Sequence, residues 1–377
     1  MTGCPCQRAE QCAFVVGDRE REFLGFFYPG DQPIDSMPLH LLSDMAWVPP
    51  ERTDVLCAAH AAGVRVVLNA GDVAAALADD PPGARKQWID SKVDLARRYF
   101  YDGINFDYEE AAQMFSDLSY NYTALVRQTS VAFKKLNPAA QITVDVPWAP
   151  FGNDGRDYDY VGLGAAADRL LVMSYDMQAQ IYGRCAAAAN SPLPLIAKGL
   201  QQYLDLRIPP AKLLLGVAWY GYVYPCEPDA QGRPPSPRTD VCLLPPTEYR
   251  GAPCSDAAGQ QWDYKQVMGL LRSGRNTTAP LWDPLGQSPR FNARLPGQEG
   301  IVQVWHESPS SLALRYALAA RLGLRGVGSW NLGCLDHGAG AEPEAAAEAE
   351  AMWEAVREYV EGEGAGAGVR VGAKAER

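Results

Sequence analysis

The stretch YDGINFDYEE, residues 101–110, alternates apolar or aromatic side chains with polar ones. Side chains of a β-strand point in turn to its two faces, so Asn105, Asp107 and Glu109 share one face and apolar residues take the other. Burying a carboxylate without partners is costly or shifts its pKa, and soluble cores therefore avoid such rows. This row is either a satisfied polar layer of the core or a functional site.

Strand-like runs of this kind recur along the chain, and amphipathic helical patterns separate several of them. They lie at residues 23–28, 44–48, 64–69, 103–109, 141–148, 169–175, 213–220 and 326–332. Strands that alternate with helices are typical of βαβ units and a parallel sheet. Eight strands predict an α/β fold, a closed (β/α)8 TIM barrel in a single domain. An open doubly wound sheet is the alternative, but no glycine-rich dinucleotide-binding or phosphate-binding loop supports it.

In such a barrel Glu109 would stand at the C-terminal mouth, where active sites lie. Asp107 would lie about 6–7 Å of strand length below it. A second carboxylate in a desolvated place raises one of the two pKa values and produces a general acid. Asp102 is on the other face and is expected to tie the entrance of the strand.

The barrel prediction places the main domain at residues 21–360, after a Cys-rich segment at residues 1–20. Residues 225–262 and 272–299 interrupt the later repeats, and their composition predicts long, disulfide-pinned loops on the catalytic side. The Gly/Ala-rich residues 361–377 lack the apolar side chains of a core and are predicted to be disordered.

Charge and hydropathy exclude several classes of partner. The chain has 34 Lys and Arg against 45 Asp and Glu, a net charge of -11, and no basic run, which argues against nucleic acid. It has no run of about 18 apolar residues, so no membrane span is predicted. The oligomeric state stays open, with a monomer as the expectation.

Nine cysteines indicate an oxidising compartment. Three lie within residues 4–12 and three within residues 226–254, and at least one bridge is expected in each group. No CxxC pair occurs and the four histidines are scattered, so neither a metal site nor a cofactor is predicted. Asn121 and Asn276 begin glycosylation sequons. The first residues contain no apolar signal segment, so we expect a mature or N-terminally incomplete chain.

The run DGINFDYE, residues 102–109, resembles the DxxDxDxE strand of family 18 glycoside hydrolases, the chitinase family. Five further segments resemble one member of that family, in the same order along residues 4–360. They are CPC (4–6), VMSYDMQAQIY (172–182), GVAWYGYVYPC (216–226), RGAPCSDAAGQQ (250–261) and GVGSWNLGCLDH (326–337). The chain departs from the family pattern at Asn105, where an Asp is usual.

The resemblance implies roles for three catalytic residues. Glu109 would protonate the glycosidic oxygen. No protein nucleophile is implied, because this family uses the 2-acetamido carbonyl oxygen of its substrate and retains the anomeric configuration. Asp107 would orient the acetamido N–H, and Tyr175 would donate a hydrogen bond to the acetamido oxygen.

The resemblance also implies a set of substrate-binding residues at the mouth. The candidates are Asn105, Met173, Asp176, Trp330, Asp145 and Trp219. Trp330 would form the floor under the reacting sugar, and Asp145 could belong to a polar layer inside the barrel. For Trp219 and Tyr220, packing in the core is as good an interpretation as lining the cleft.

The implied partner is an oligosaccharide that contains N-acetylglucosamine (GlcNAc). The implied reaction cleaves the GlcNAc-β-1,4-GlcNAc core of free asparagine-linked glycans from the reducing end, in the lysosome. A non-catalytic chitin-binding lectin is one alternative, but such members typically replace the Glu at position 109. A secreted endochitinase is another; such enzymes often carry an α+β insertion and a chitin-binding domain, and the sequence indicates neither clearly.

Overall fold

Thirteen strands lie in the part of the chain that a computed structural model describes, residues 3–17, 19–274, 276–338 and 340–362. They are β1 (Glu22–Phe26), β2 (Asp44–Ala46), β3 (Arg65–Asn69), β4 (Gly103–Phe106), β5 (Gln141–Pro147), β6 (Arg169–Met173), β7 (Leu213–Ala218), β8 (Tyr220–Pro225), β9 (Gln260–Asp263), β10 (Leu281–Asp283), β11 (Ser288–Ala293), β12 (Val302–Trp305) and β13 (Gly326–Trp330). The helices of the same residues are α1 (Thr53–Ala61), α2 (Ala74–Ala78), α3 (Ala84–Tyr99), α4 (Asp117–Leu136), α5 (Tyr160–Ala166), α6 (Leu193–Asp205), α7 (Tyr264–Arg272), α8 (Pro309–Arg321) and α9 (Pro343–Glu361).

Eight strands close into a barrel in the order β1, β2, β3, β4, β5, β6, β7 and β13, and the pairs are parallel. Each predicted strand run supplies one of them. Pairing of β1 with β13 closes the ring and excludes an open sheet. The predicted (β/α)8 barrel is therefore confirmed.

The predicted alternation of β4 is confirmed for Asn105 and Phe106, but the strand is shorter than the predicted run 103–109. The Phe106 ring lies outside the barrel against Trp88 of α3, whereas Asn105 lies inside. The strand ends at Phe106, so Asp107 and Glu109 follow it at the C-terminal mouth. The polar residues of this run therefore extend from Asn105 inside the barrel to Glu109 at its C-terminal rim.

Between β7 and α8 the chain forms a second sheet where the sequence predicted long loops. Its strands are antiparallel in the order β10, β11, β12, β8 and β9, and Val223, Val267 and Phe291 form a small apolar core between the sheet and α7. The loop prediction for residues 225–262 and 272–299 is therefore wrong in part. These strands have only three to six residues, too few for a clear period-two pattern beside so many prolines and glycines.

Four disulfides pin the N-terminal segment and the insertion. They are Cys4–Cys12, Cys6–Cys57, Cys185–Cys254 and Cys226–Cys242. Both predicted cysteine groups thus contain bridges. Among the described residues, Cys334 is free, and it is buried.

Asp102 ties the N-terminal end of β4, as predicted. Its carboxylate accepts hydrogen bonds from the backbone N–H groups of Val15 and Val66, both at 2.7 Å, and lies 2.9 Å from His60 Nε2. The other ring nitrogen of His60 lies 2.8 Å from the Gln11 carbonyl oxygen. Burial opposes a charge on His60, but Asp102 outweighs it and raises the pKa of the imidazole. Two acceptors on one ring fit the imidazolium form, which donates from both nitrogens.

The two predicted glycosylation sites differ in exposure. Asn276 is exposed at a turn with φ 58°. Asn121 is half-buried in α4, and the hydroxyl of Thr123 in its sequon is buried and donates to Asp159. The more accessible acceptor is Asn276, and glycosylation at both positions stays a prediction.

The C-terminal helix α9 packs on the barrel and ends at Glu361. The predicted disordered tail lies, from residue 363 onward, outside the described residues. In the described part, no helix has both the length and the apolar character needed to cross a membrane.

Candidate active site

A polar layer lies just below the mouth of the barrel. Asn105 donates to Asp145 Oδ1 at 2.9 Å and accepts from the indole N–H of Trp47 at 2.8 Å. Both Asn105 and Asp145 are buried. Their burial and these protein contacts favour a place beneath the substrate, and direct binding of substrate by either residue stays a prediction. They support the residues above them.

Asp107 stands directly above this layer. Burial and the negative charge of Glu109 raise its pKa to about 7, although Arg156 opposes the shift. Burial and the nearby Asp107 likewise raise the pKa of Asp145. The Oδ1 atom of Asp107 is buried and has no hydrogen-bond partner among the described residues. An unpaired buried carboxylate oxygen is costly, so this atom is available to a substrate N–H.

A cavity of about 260 Å³ opens over the ends of β4, β5 and β6. Its lining includes Glu109, Trp148, Met173, Tyr175, Asp176 and Asp256. Three of the predicted residues of the β6 end thus meet the predicted acid in one cavity. Its volume is at the lower end for small-molecule pockets and fits a group of about one sugar ring.

Asp176 is held firmly on one side of this cavity. Its carboxylate accepts hydrogen bonds from the hydroxyls of Tyr220 at 2.6 Å and Tyr222 at 3.1 Å. Burial raises the pKa of Asp176 to about 6 against the effect of these two donors. Asp256 lies on the far side of Tyr222, and burial and Asp176 raise its pKa to about 7. This half of the mouth is a network of hydroxyls and carboxyl groups suited to sugar hydroxyls.

An aromatic cluster forms the opposite half of the mouth, over β1, β2 and β13. The half-buried Trp330 stacks on Tyr28 with ring centroids 5.6 Å apart and meets Trp47 edge-on at 5.0 Å. Tyr28 is 52% exposed, so the cluster reaches solvent. Trp330 therefore lies where the sequence placed it, at the mouth, but outside the lining of the cavity beside Glu109.

Trp219 is not at the mouth, and the prediction that it lines the cleft is wrong. It is fully buried between the barrel and α9, where its ring contacts Phe23 at 5.8 Å and Trp353 at 5.0 Å. Side-chain alternation turns the next residue, Tyr220, to the other side, where it reaches Asp176. The sequence could not tell which member of the Trp-Tyr pair faced the core, because both are large and aromatic.

Arg156 is a site residue that sequence reasoning missed. Its Nη1 donates to Glu109 Oε2 at 2.6 Å and its Nη2 to Asp154 Oδ2 at 2.7 Å. The Glu109 side chain is 49% exposed, whereas that of Arg156 is 11% exposed. Tyr28, Trp47, Tyr222, Tyr249 and Asp256 were also missed. Tyr222 and Asp256 lie in two of the segments that carry the family resemblance, whereas no motif marks the others, which only the fold brings to the mouth.

The chain is similar to relatives of known sequence and structure. The profile of Glycosyl hydrolases family 18 matches residues 60–334. The chain is 38% identical to di-N-acetylchitobiase of Rattus norvegicus, over 94% of this chain and 92% of the relative. It is 36% identical to di-N-acetylchitobiase of Homo sapiens, over 94% of this chain and 89% of that one.

Solved structures share the fold at lower identity. A chitinase from Chromobacterium violaceum has a TM-score of 0.65 at 20% identity, over 90% of this chain and 98% of its own. A chitinase from Cycas revoluta, solved in complex with (GlcNAc)3, has a TM-score of 0.66 at 18% identity, over 88% of this chain and 99% of its own. The profile match and the relatives at 36–38% identity identify the family, which the shared fold alone would not do. The chain belongs to family 18 of the glycosyl hydrolases and is a glycoside hydrolase.

Proposed function

We propose that this protein hydrolyses the GlcNAc-β-1,4-GlcNAc core of free asparagine-linked glycans from the reducing end. The substrate class is carried over from the di-N-acetylchitobiases, to which the chain is similar over 94% of its length. The setting would be lysosomal breakdown of glycoproteins.

The observation that carries the proposed mechanism is the state of Asp107. It is a buried carboxyl group directly after β4, with an unpaired oxygen and a pKa raised to about 7. Such a group can accept an acetamido N–H and, once ionised, stabilise positive charge on the neighbouring sugar carbon. We propose that the 2-acetamido carbonyl oxygen attacks the anomeric carbon and forms an oxazolinium ion above Asp107.

The remaining roles follow from position. Glu109 gives its proton to the glycosidic oxygen, and water later opens the oxazolinium ion with retention of configuration. Tyr175, in the same cavity, donates to the acetamido oxygen. Asp176 is another carboxyl group of the cavity, but two tyrosine hydroxyls hold it, which supports a role in sugar binding over one as nucleophile.

The proposal is tested by incubating the protein with di-N-acetylchitobiose and with a free glycan that ends in this disaccharide, at acidic and neutral pH. The expected product is a single GlcNAc from the reducing end, identified by mass spectrometry with the reducing end labelled by ¹⁸O. The same glycan still attached to asparagine is the matched control and should stay intact. Release of a disaccharide, or cleavage of the control at the same rate, would contradict the proposal.

An endochitinase is the second candidate, and one observation favours it. The α+β insertion that the sequence did not indicate is present, as β8–β12 with α7. Rapid internal cleavage of a chitin hexasaccharide, with disaccharides as main products, would select this candidate. A non-catalytic lectin has less support, because Glu109 and Asp107 are both present at the mouth.

A further inference from the structure

The ion pair between Arg156 and Glu109 raises a chemical problem for the proposed mechanism. A general acid must carry a proton, and a carboxylate that accepts a charge-assisted hydrogen bond from a guanidinium has none to give. Glu109 therefore has to leave Arg156 before it can protonate a glycosidic oxygen. The structure indicates which of the two partners moves.

Arg156 is the fixed partner. Its loop is tied to the residues after β4 by backbone hydrogen bonds of Ala112, which donates to the Gly155 carbonyl and accepts from the Asp157 N–H, both at 2.9 Å. The N–H of Asp154 donates to the Gln180 side chain at 3.0 Å. Asp154 is itself buried and holds the second guanidinium nitrogen of Arg156 at 2.7 Å. The guanidinium is thus anchored without any help from Glu109.

Glu109 is the mobile partner. Its side chain is 49% exposed, and rotation of that side chain alone separates the pair. Burial disfavours the charge of Arg156, but Glu109 and Asp154 together outweigh it and raise the pKa of the guanidinium. When Glu109 departs, Asp154 still compensates the charge of Arg156.

The cavity wall beside this pair has unused hydrogen-bonding atoms. Arg156 Nε, Asp154 Oδ1 and Asn153 Nδ2 are buried and have no partner among the described residues. All three residues line the cavity that contains Glu109. Two donors and one acceptor thus lie unpaired behind the surface of this wall, and hydroxyl groups of a sugar ring, which both donate and accept, would match them once the wall opens.

We propose that Arg156 is a positioning residue that holds Glu109 as a carboxylate in the free enzyme and releases it when the substrate enters the cavity. Hydroxyl groups of the sugar then form hydrogen bonds with the unpaired Nε of Arg156 and Oδ1 of Asp154. Glu109 then takes a proton from solvent and becomes the acid. As it passes that proton to the glycosidic oxygen, the bond from the anomeric carbon to that oxygen breaks and its electron pair stays on the oxygen. The inference rests on the proposed role of Glu109.

Other ionisable groups surround Glu109, and each must be considered in the test. They are Asp107 and Asp145 of the barrel, Asp154, Arg156 and Tyr158 after β5, Tyr175 and Asp176 after β6, and Tyr249 of the insertion. Of these groups Arg156 is the one cation. Its removal therefore has an effect on Glu109 that the anionic and neutral groups cannot mimic.

The test compares pH profiles of Arg156→Gln, Arg156→Lys and wild type on di-N-acetylchitobiose. The profile of kcat/KM reports the free enzyme, and that of kcat reports the loaded enzyme. In Arg156→Gln the alkaline limb of kcat/KM should move to higher pH, because the cation that contacts the Glu109 carboxylate in the free enzyme is gone. The limb of kcat should stay in place, and the Lys variant should restore the wild-type profile.

Arg250→Gln is the matched control. Arg250 anchors the same loop through the carbonyl oxygen of Asp154 and makes no contact with Glu109. The alkaline limbs of kcat/KM and of kcat for Arg250→Gln should both coincide with those of wild type, whatever the effect of this substitution on KM. A kcat/KM limb that stays in place in Arg156→Gln overturns the inference, and so does an equal shift of both limbs. Loss of all activity in a folded Arg156→Gln also overturns it, because Arg156 would then be needed in the loaded enzyme.

These outcomes separate the inference from the proposed function. If wild type cleaves chitin oligosaccharides but not the disaccharide, the proposed substrate is wrong, and the same profiles on the oligosaccharide still test Arg156. If wild type cleaves no β-linked GlcNAc substrate, Glu109 is not an acid and both proposals fall. An active wild type with an unmoved Arg156→Gln profile overturns the inference alone.

Discussion

Replacement of Asp107 by Asn should both lower kcat and raise the free energy of unfolding. Asn keeps the size and the acceptor oxygen of Asp107, but it cannot become an anion beneath the oxazolinium ion. Two unit charges about 4 Å apart at an effective dielectric constant of about 20 interact by about 4 kcal/mol. That corresponds to a fall in kcat of about 10³-fold, at 1.36 kcal/mol for each factor of ten.

The gain in stability follows from the pKa of Asp107, about 7 in the folded protein against the ordinary value of 3.8. Below about pH 4 both states hold the proton, and Asp107 does not affect stability. As the pH rises to about 7 the unfolded chain releases a proton that the folded protein keeps, so folding becomes less favourable. Above pH 7 the penalty is constant, at most about 4 kcal/mol for a shift of about three units. Asp107→Asn removes it.

Thermal unfolding and kcat on di-N-acetylchitobiose measure both effects. With about 2.1 cal/mol/K of unfolding entropy per residue, a chain of this size gains at most about 5 °C in Tm at neutral pH, and nothing near pH 4. Asp90→Asn, an exposed change on α3, is the control and should alter neither quantity at any pH. A Tm below that of wild type at neutral pH, or a kcat within about tenfold of it, would refute the reasoning from Asp107.

Four further outcomes are expected. Glu109→Gln should fold, by circular dichroism, and lose about 10²–10⁴-fold in kcat; a loss of less than about threefold would exclude Glu109 as the acid. A GlcNAc thiazoline should inhibit competitively and a fluoro-sugar should label no carboxylate, whereas a covalent adduct on Asp176 in a peptide digest would contradict substrate assistance. His60→Gln should lower the free energy of unfolding below pH 6.5, where the raised pKa of His60 makes its pairing with Asp102 fully effective. Urea unfolding should show that the difference in free energy between variant and wild type becomes smaller as the pH rises through that pKa. A non-reduced digest should contain four bridges and free Cys334; a free thiol at any bridged position would contradict the pairing.

The barrel was predictable because its strands are buried on both faces and read as apolar runs between amphipathic helices. The position of Glu109 beyond Asp107 at the mouth was predictable because both continue the run of β4 at its C-terminal end, and the role of Glu109 as the acid stays a prediction. Strands β8–β12 were not, since they are short and lie between prolines and glycines. Here the local pattern is weak, and the apolar contact with α7 that stabilises the sheet joins residues far apart in the chain.

The contact between Arg156 and Glu109 had no local signal either. It joins residues 47 positions apart, on two loops that the barrel brings together. Trp219 shows the same limit at a single strand. Its large apolar ring suits both a cleft and a core, and only Phe23 and Trp353 on the helix side decide between them. Sequence patterns therefore predicted which strand end carries the chemistry, whereas the loops that shape it required the fold.

The division of the mouth into two halves bears on the choice of substrate. Under the proposed mechanism the reacting sugar lies against the aromatic cluster at Trp330 and directs its acetamido group to Tyr175 in the polar cavity beside Glu109. The bond that breaks then stands between the halves, with Asp107 beneath it. A sugar without an acetamido group would leave the buried Asp107 Oδ1 unpaired in the bound complex. Sites with buried polar groups reject ligands that leave those groups unpaired, often by several orders of magnitude. The unpaired oxygen of Asp107 therefore supports selection of N-acetylated sugars at the site where the bond is broken.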